Sequence, residues 1–314
     1  MEPTVLPPAR PPFPVAAPYR VVPAPQPVDG PPTVELDDAW PTALTRRLER
    51  LSADRAGVVV RAPGQHQGDD GLLAAMRRAW DLLPLPRHGD VVDVPLLGVR
   101  VDLAATTCAR TGSTCSPAAT GLMVGLQGLE LLVVGWMLAC SDDLVVLRRH
   151  AVGVLRAELL AVSFPSGWPV RERAGATLFE LHGPVADGER LQRAAPALSE
   201  ALLTKGPLRH AVWGLNPDGR LDRDPSAPDV DTAAPPEDPA RWWLRVERQT
   251  SVPLPELDRG LFTIRPFLLP LTSLTRAQRT TIGDAVASMS PEALVYKGIS
   301  QIAPDLVAWC RRLS

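Results

Sequence analysis

Residues 244–270 read LRVERQTSVPLPELDRGLFTIRPFLLP. Two strand-type runs, one through Thr250 and one over Leu261 to Leu269, flank a Pro-rich connection, which is the pattern of an antiparallel pair. Strand side chains alternate between faces, so Arg245, Glu247 and Gln249 share one face and Val246, Arg248 and Thr250 the other. A lone Arg265 sits inside the second run. From pattern alone two readings stand side by side. Arg245 and Glu247 form a solvated ladder on an exposed sheet face, or they are the polar floor of a site.

Working outward, Val154 to Phe164 has the composition of a central strand stopped by Pro165, and Ala211 to Leu215 that of a short strand before the Asn216-Pro217-Asp218-Gly219 turn. Asp90 to Ala105 is strand-like, Thr106 to Ser116 a polar loop, and residues 220–240 an exposed loop. Helices are expected from about Trp40 to Leu51, capped by Asp37 or Asp38, and from Leu72 to Leu83. Further helices are expected over about 120–139, 142–151, Arg171 to Leu181 and Leu191 to Leu203. Thr275-Arg276-Ala277-Gln278 is a capping box opening a helix to Met289, Ser290-Pro291 starts another, and Ala303 to Leu313 closes the chain. Strands interleaved with helices in this order predict an α+β fold around an antiparallel sheet. Residues 1–32 hold twelve prolines, which forbids a continuous helix and predicts an extended arm over about 1–35. Residues 36–314 are then one domain with a helical N-terminal elaboration.

The net charge of −2 with mixed signs gives no basic stripe and no support for nucleic-acid binding. Only two of the 33 basic residues are lysines, Lys205 and Lys297, so Lys297 stands out against a background in which arginine is the default cation. Cys108, Cys115, Cys140 and Cys310 lack C-x-x-C spacing, which argues against an iron–sulfur or zinc site in this chain. A Cys108–Cys115 disulfide is conceivable, but no secretory signal precedes it and a cytoplasmic location is the expectation. The apolar run from Gly121 to Cys140 is broken by Gln127 and Glu130 and reads as a buried helix rather than a membrane span.

Several segments resemble the haem-dependent oxidative N-demethylase family. Arg245-Val246-Glu247-Arg248-Gln249-Thr250 matches its R-V-E-R-Q-T run, and Phe262-Thr263-Ile264-Arg265 its F-x-I-R strand. Ser141-Asp142-Asp143-Leu144 resembles its acidic helix. Phe164-Pro165-Ser166-Gly167-Trp168 with Leu181-His182-Gly183-Pro184-Val185 resembles its F-P-S-x-W and I-H-x-P-V pair, and Tyr296-Lys297-Gly298 its C-terminal Y-K-G. The similarity covers about residues 120–314. It implies a PAS-like core, an antiparallel sheet with helices covering one face and a haem b between them. It implies a monooxygenase-type oxidoreductase in which O₂ is the cosubstrate and a small amine loses an N-methyl group. FMN and a 2Fe–2S cluster are then expected on separate reductase subunits.

Within that resemblance His182 is the expected axial ligand. Residue pattern alone allows the plainer reading of a histidine placed at a helix C-terminus by the dipole. Glu247, Arg248 and Gln249 are the expected catalytic set, a carboxylate near arginine being suited to proton handling. Arg245, Arg265, Trp213, Tyr296 and Lys297 are expected around the cofactor, arginines being apt for haem propionates. One departure concerns the family's R-x-N-W, which here reads His210-Ala211-Val212-Trp213. Val212 removes two donors and an acceptor, and this predicts that dimethylamine is a poor substrate and a bulkier secondary or tertiary amine a better one. The alternative is a non-catalytic haem-binding sensor or an inactive subunit, since fold does not decide function.

Overall fold

A computed structural model describes residues 6–20, 25–64, 70–152, 154–181, 189–227 and 234–312. His182 and His66 lie outside them, as do Gly183, Pro184 and Val185 of the I-H-x-P-V segment. In chain order the strands are β1 (Gln26–Pro27), β2 (Val59–Arg61), β3 (Arg87–His88), β4 (Val91–Val94), β5 (Val99–Asp102), β6 (Thr107–Arg110), β7 (Asp143–Ala151), β8 (Val154–Ala161), β9 (Leu208–Asn216), β10 (Trp243–Leu254) and β11 (Arg259–Pro270). The helices are α1 (Trp40–Val58), α2 (Asp70–Trp80), α3 (Pro117–Val124), α4 (Gly128–Ala139), α5 (Leu178–Leu181), α6 (Glu189–Thr204), α7 (Arg276–Ala287), α8 (Pro291–Tyr296) and α9 (Ala303–Arg311). The protein is α+β. One antiparallel sheet runs β1-β9-β10-β11-β7-β8-β2, and a smaller meander runs β3-β4-β5-β6.

The β10–β11 hairpin is the centre of the large sheet, and its register is unbroken from Trp243↔Pro270 to Leu254↔Arg259. Pro253 is tolerated within β10 opposite Gly260, so the strand extends past the expected Thr250 to Leu254. β7 pairs with β11 only as far as Ile264↔Asp143, which leaves Pro266 and Pro270 on an edge where no donor is needed.

The helices that build the main core lie on one face of this sheet. Leu144, Val146, Leu159, Ala161 and Leu261 pack with α1, α2 and α4, and Leu244, Val246 and Phe267 pack with α7 to α9. α4 is apolar all round because it is enclosed, not because it spans a membrane. Trp40 of α1 and Trp80 of α2 flank it, Trp136 is its own, and the three indole N–H groups donate to the carbonyls of Leu138, Leu132 and Ala79 at 3.2, 2.9 and 3.0 Å. Among the described residues no helix is long and apolar enough to cross a membrane. The opposite face has a thinner cover, with Leu202 and Leu203 of α6 on Val145, Leu147, Ala157 and Leu160.

The Pro-rich arm lies against the C-terminal helices. Val15 is buried there, Phe13 and Tyr19 pack beside it, and the Tyr19 N–H donates to Ser288 Oγ at 2.8 Å. Farther on, Gln26–Pro27 adds an edge strand to β9.

Some expected elements differ. Where a helix was expected over 142–151, Asp143–Ala151 is strand β7: Leu144 to Leu147 are all buried, and they alternate between two cores as only a strand can. The expected helix from Arg171 is broken at Gly175, with φ +81°, whose N–H donates to Ala157 on β8. Only α5 follows, opened by a reciprocal pair in which Thr177 Oγ1 accepts from the Glu180 N–H and Glu180 Oε2 accepts from the Thr177 N–H. The expected loop at 106–116 contains β6, which completes the meander. The first part of the expected exposed loop is anchored, since Asp222 pairs with buried Arg50 at 2.7 Å and Asp224 is itself buried, while Ala234, Pro235, Glu237 and Asp238 are exposed. Both caps near the C-terminus form as expected, at Thr275 and Ser290.

Candidate functional site

The hairpin register fixes what shares a face with what. Arg245 lies between Gly214 and Leu268, Glu247 between Val212 and Pro266, and Gln249 between His210 and Ile264. The other face carries Val246 between Trp213 and Phe267, and Arg248 between Ala211 and Arg265. β10 has no bulge here, so the adjacent residues Glu247 and Arg248 point to opposite sides of the sheet.

On the first face the three polar residues of β10 form a ladder. Arg245 Nε donates to Glu247 Oε1 at 3.0 Å, and Gln249 Nε2 donates to Glu247 Oε2 at 3.3 Å. Arg245 is buried and has two further acceptors, the carbonyls of Leu221 at 2.6 Å and Phe164 at 2.5 Å. The carboxylate of Glu247 is therefore held by groups along its own strand. Its cross-strand neighbours, Val212 and Pro266, offer it no donor. Burial alternates along the hairpin. Glu247, Gln249, Ile264 and Leu268 are partly open, as are His210 and Val212, while Val246, Arg248, Arg265 and Phe267 are buried. This middle stretch of the face is a trough with a polar centre and apolar flanks. Burial lowers the pKa of His210 below the usual histidine range, which leaves a neutral imidazole at one end of it.

Three sequence motifs meet at Phe164. Asp143 accepts from the N–H groups of Ser163 and Phe164 at 2.9 and 3.0 Å, while Arg245 takes the Phe164 carbonyl. Arg47 closes the junction, donating to Asp143 Oδ1 at 2.9 Å, to the carbonyls of Cys140 and Asp142 at 2.7 and 3.0 Å, and to Ser163 Oγ at 3.1 Å. The S-D-D-L, F-P-S-G-W and R-V-E-R-Q-T segments are thus hydrogen-bonded into one unit. Asp143 and Arg47 were not among the expected site residues. The acidic motif was visible in the sequence, but its partners were not.

Arg248 and Arg265 face each other directly across the strands on the second face, a like-charge pair that needs compensation. Compensation comes from the N-terminal segment. Glu35 pairs with Arg248 at 2.7 Å and Asp37 with Arg265 at 2.6 Å, while both arginines stack over Phe267. Asp142 is buried close by. Burial pushes its carboxyl up to about 6 against the pull of Arg265, Arg248 and Arg47. Trp213 also turns to this face and meets Tyr19 edge-on, with ring centroids 6.1 Å apart.

Lys297 stands at the corner between the two faces. Its ammonium donates to the Trp213 carbonyl at 2.7 Å and lies 5.3 and 5.0 Å from the Tyr19 and Trp213 ring centroids. Tyr296 is 45 % exposed beside it. Of the expected set, Arg245, Glu247 and Gln249 are brought together, and the charge of Glu247 reaches Lys297 and Tyr296. Arg248, Arg265 and the Trp213 side chain lie behind the sheet.

Burial lowers the Lys297 pKa from 10.5 to about 8, and the charge of Glu247 opposes the shift. Between those values the unfolded chain binds a proton that the native state has lost, so this residue makes stability rise with pH from about 8 to 10.5. Below that window the native ammonium is held at a constant cost. Lys297→Met is therefore expected to raise the melting temperature at pH 7 and to flatten its dependence on pH in the alkaline window. A variant less stable than the parent at pH 7 would show that the Trp213 bond outweighs desolvation.

The order of the motifs, the buried junction at Phe164 and the carboxylate ladder all fall inside one matched region. Residues 114–307, more than half of the chain, match the family described as haem-dependent oxidative N-demethylase, alpha subunit-like. The chain belongs to the haem-dependent oxidative N-demethylase, alpha subunit-like family.

Proposed function

We propose that the trough over β9–β11 is the site of a haem-dependent monooxygenase-type oxidation of an amine, in which Glu247 receives the substrate ammonium. The observation that carries this reading is the one-faced ladder Arg245–Glu247–Gln249, a braced carboxylate partly open on a sheet face between apolar neighbours. A solvated ladder accounts for it poorly, because Arg245 is 1 % exposed and ties Glu247 to the Phe164 junction.

The residues present fit a haem. Ile264, on the side of Glu247 away from Gly214, gives apolar surface for a flat macrocycle, and the face is partly open there. His182, which follows α5, would hold the haem iron, and Lys297 and Tyr296 would offer a basic and a phenolic group to its carboxylates. When bound, haem supplies the iron that binds O₂ and the oxidation by which an N-methyl group leaves as formaldehyde. The chain's own residues bind and orient. Glu247 holds the ammonium and takes its proton, Gln249 and Arg245 fix the carboxylate, and Val212 and Pro266 exclude water from the N-alkyl groups. Arg248 and Arg265 hold the strand from behind. Electrons come from separate reductase subunits bearing FMN and a 2Fe–2S cluster, an arrangement in keeping with an alpha-subunit-like chain.

The test is a visible spectrum of the purified protein with haem, then O₂ consumption with a chemical reductant and a panel of methylated amines. A Soret band that is lost or altered in His182→Ala, together with amine-dependent O₂ uptake, is the expected result. An unchanged ferric and ferrous spectrum in His182→Ala overturns the ligand assignment. Haem binding without any amine-dependent uptake would leave a sensor or an inactive subunit as the reading.

A further inference from the structure

Glycine inside a strand costs stability, and it is usually explained by a positive φ or by a group that approaches too closely for a side chain. Other glycines here have such reasons: a Cβ on Gly135 would meet Trp80 at 3.1 Å, and one on Gly260 the Leu202 carbonyl at 3.4 Å. Gly214 has neither. It lies in the regular pairing of β9 with β10, its φ is not in the left-handed region, and among the described residues nothing comes within 4 Å of a Cβ built on it. That Cβ would stand on the face of Glu247, one step along β9 from Val212 and across from Arg245. The fold leaves empty space at this point of the trough and does not require a glycine to make it.

We propose that Gly214 sets the size of the amine accepted at this site, the space above it receiving the larger apolar N-substituent of a secondary or tertiary amine whose ammonium lies on Glu247. This rests on reading the face as an amine site. The geometry is consistent along the trough: the carboxylate fixes the nitrogen, Val212 and Pro266 flank it without donors, and Gly214 continues the face one step beyond Val212 on β9, with Leu268 on the far side of buried Arg245. The Arg245 guanidinium beside Gly214 is already committed to Glu247, Phe164 and Leu221.

The experiment compares the haem-loaded parent with Gly214→Val by titrating the haem spectrum with dimethylamine and with N,N-dimethylbenzylamine, alongside melting of both apo proteins. Valine suits a strand and its Cβ would meet no described neighbour within 4 Å, so the apo melting temperature is expected to hold or rise. The parent is expected to bind the benzyl amine more tightly than dimethylamine. Gly214→Val is expected to weaken the benzyl amine about tenfold or more while leaving dimethylamine within about threefold. Equal effects on both amines, or none, overturn the assignment and leave the amine site standing. A lower apo melting temperature overturns it by showing that a protein segment fills the space. Loss of haem loading with normal apo stability overturns it by giving the space to the macrocycle. If no amine perturbs the parent's haem spectrum, the functional reading falls and the inference with it.

Discussion

Arg47→Met is expected to destabilise the protein by about 3–5 kcal/mol, the usual cost of leaving a buried ion-pair partner alone. Arg47 is 0 % exposed on α1, and its guanidinium serves the C-terminal turn of α4, the start of β7 and Ser163 together. Methionine fills the space but donates nothing. The carbonyls of Met137, Cys140 and Asp142 then lose a donor, and Asp143 keeps a buried charge whose remaining support is the two N–H groups of Ser163 and Phe164. For a chain of this size the expected fall in melting temperature is roughly 5–8 °C. Arg46→Met, one residue away in a pair 65 % and 55 % exposed with Glu49, is the control and should shift stability by less than about 0.5 kcal/mol. Equal shifts in the two variants would mean that the Phe164 junction is not held by Arg47.

That junction also shows where sequence reading ran out. The β10–β11 hairpin, the alternation of Arg245, Glu247 and Gln249, and the capping boxes were legible because each depends on neighbours within a few residues. Whether the ladder is solvated or braced was not, because its brace is the carbonyl of Phe164, 81 positions away. The second face was hidden for the same reason: Arg265 is neutralised by Asp37 at a separation of 228. The acidic motif was misplaced on a helix because Leu144 to Leu147 is a continuous apolar run, in which period-2 alternation is masked when both faces are buried. Arg148 and Arg149 at the end of this run reach Glu158 and Glu200 from the strand. Family resemblance marked which segments matter. It did not show that three of them are joined at Phe164.

The separation of Glu247 from Arg248 gives the sharpest functional expectation, because adjacent residues should fail in different ways. In Glu247→Gln the volume and one acceptor remain, but the charge that would hold an ammonium is gone. Losing one partner of a largely desolvated charge pair costs about 2–4 kcal/mol, so affinity for a cationic amine should fall roughly 30- to 1000-fold, as read from haem spectral titrations. Stability should fall too, since buried Arg245 loses its anionic partner and keeps only the neutral Phe164 and Leu221 carbonyls and an amide oxygen. In Arg248→Gln only stability should fall. It leaves Glu35 without its 2.7 Å partner and removes one of the cations facing buried Asp142, so the melting temperature falls while amine affinity stays within about threefold. The side of the sheet decides each outcome. If Glu247→Gln binds amines as the parent does, the trough is not the ammonium site. If Arg248→Gln loses amine affinity without losing stability, the face behind the sheet takes part in binding after all.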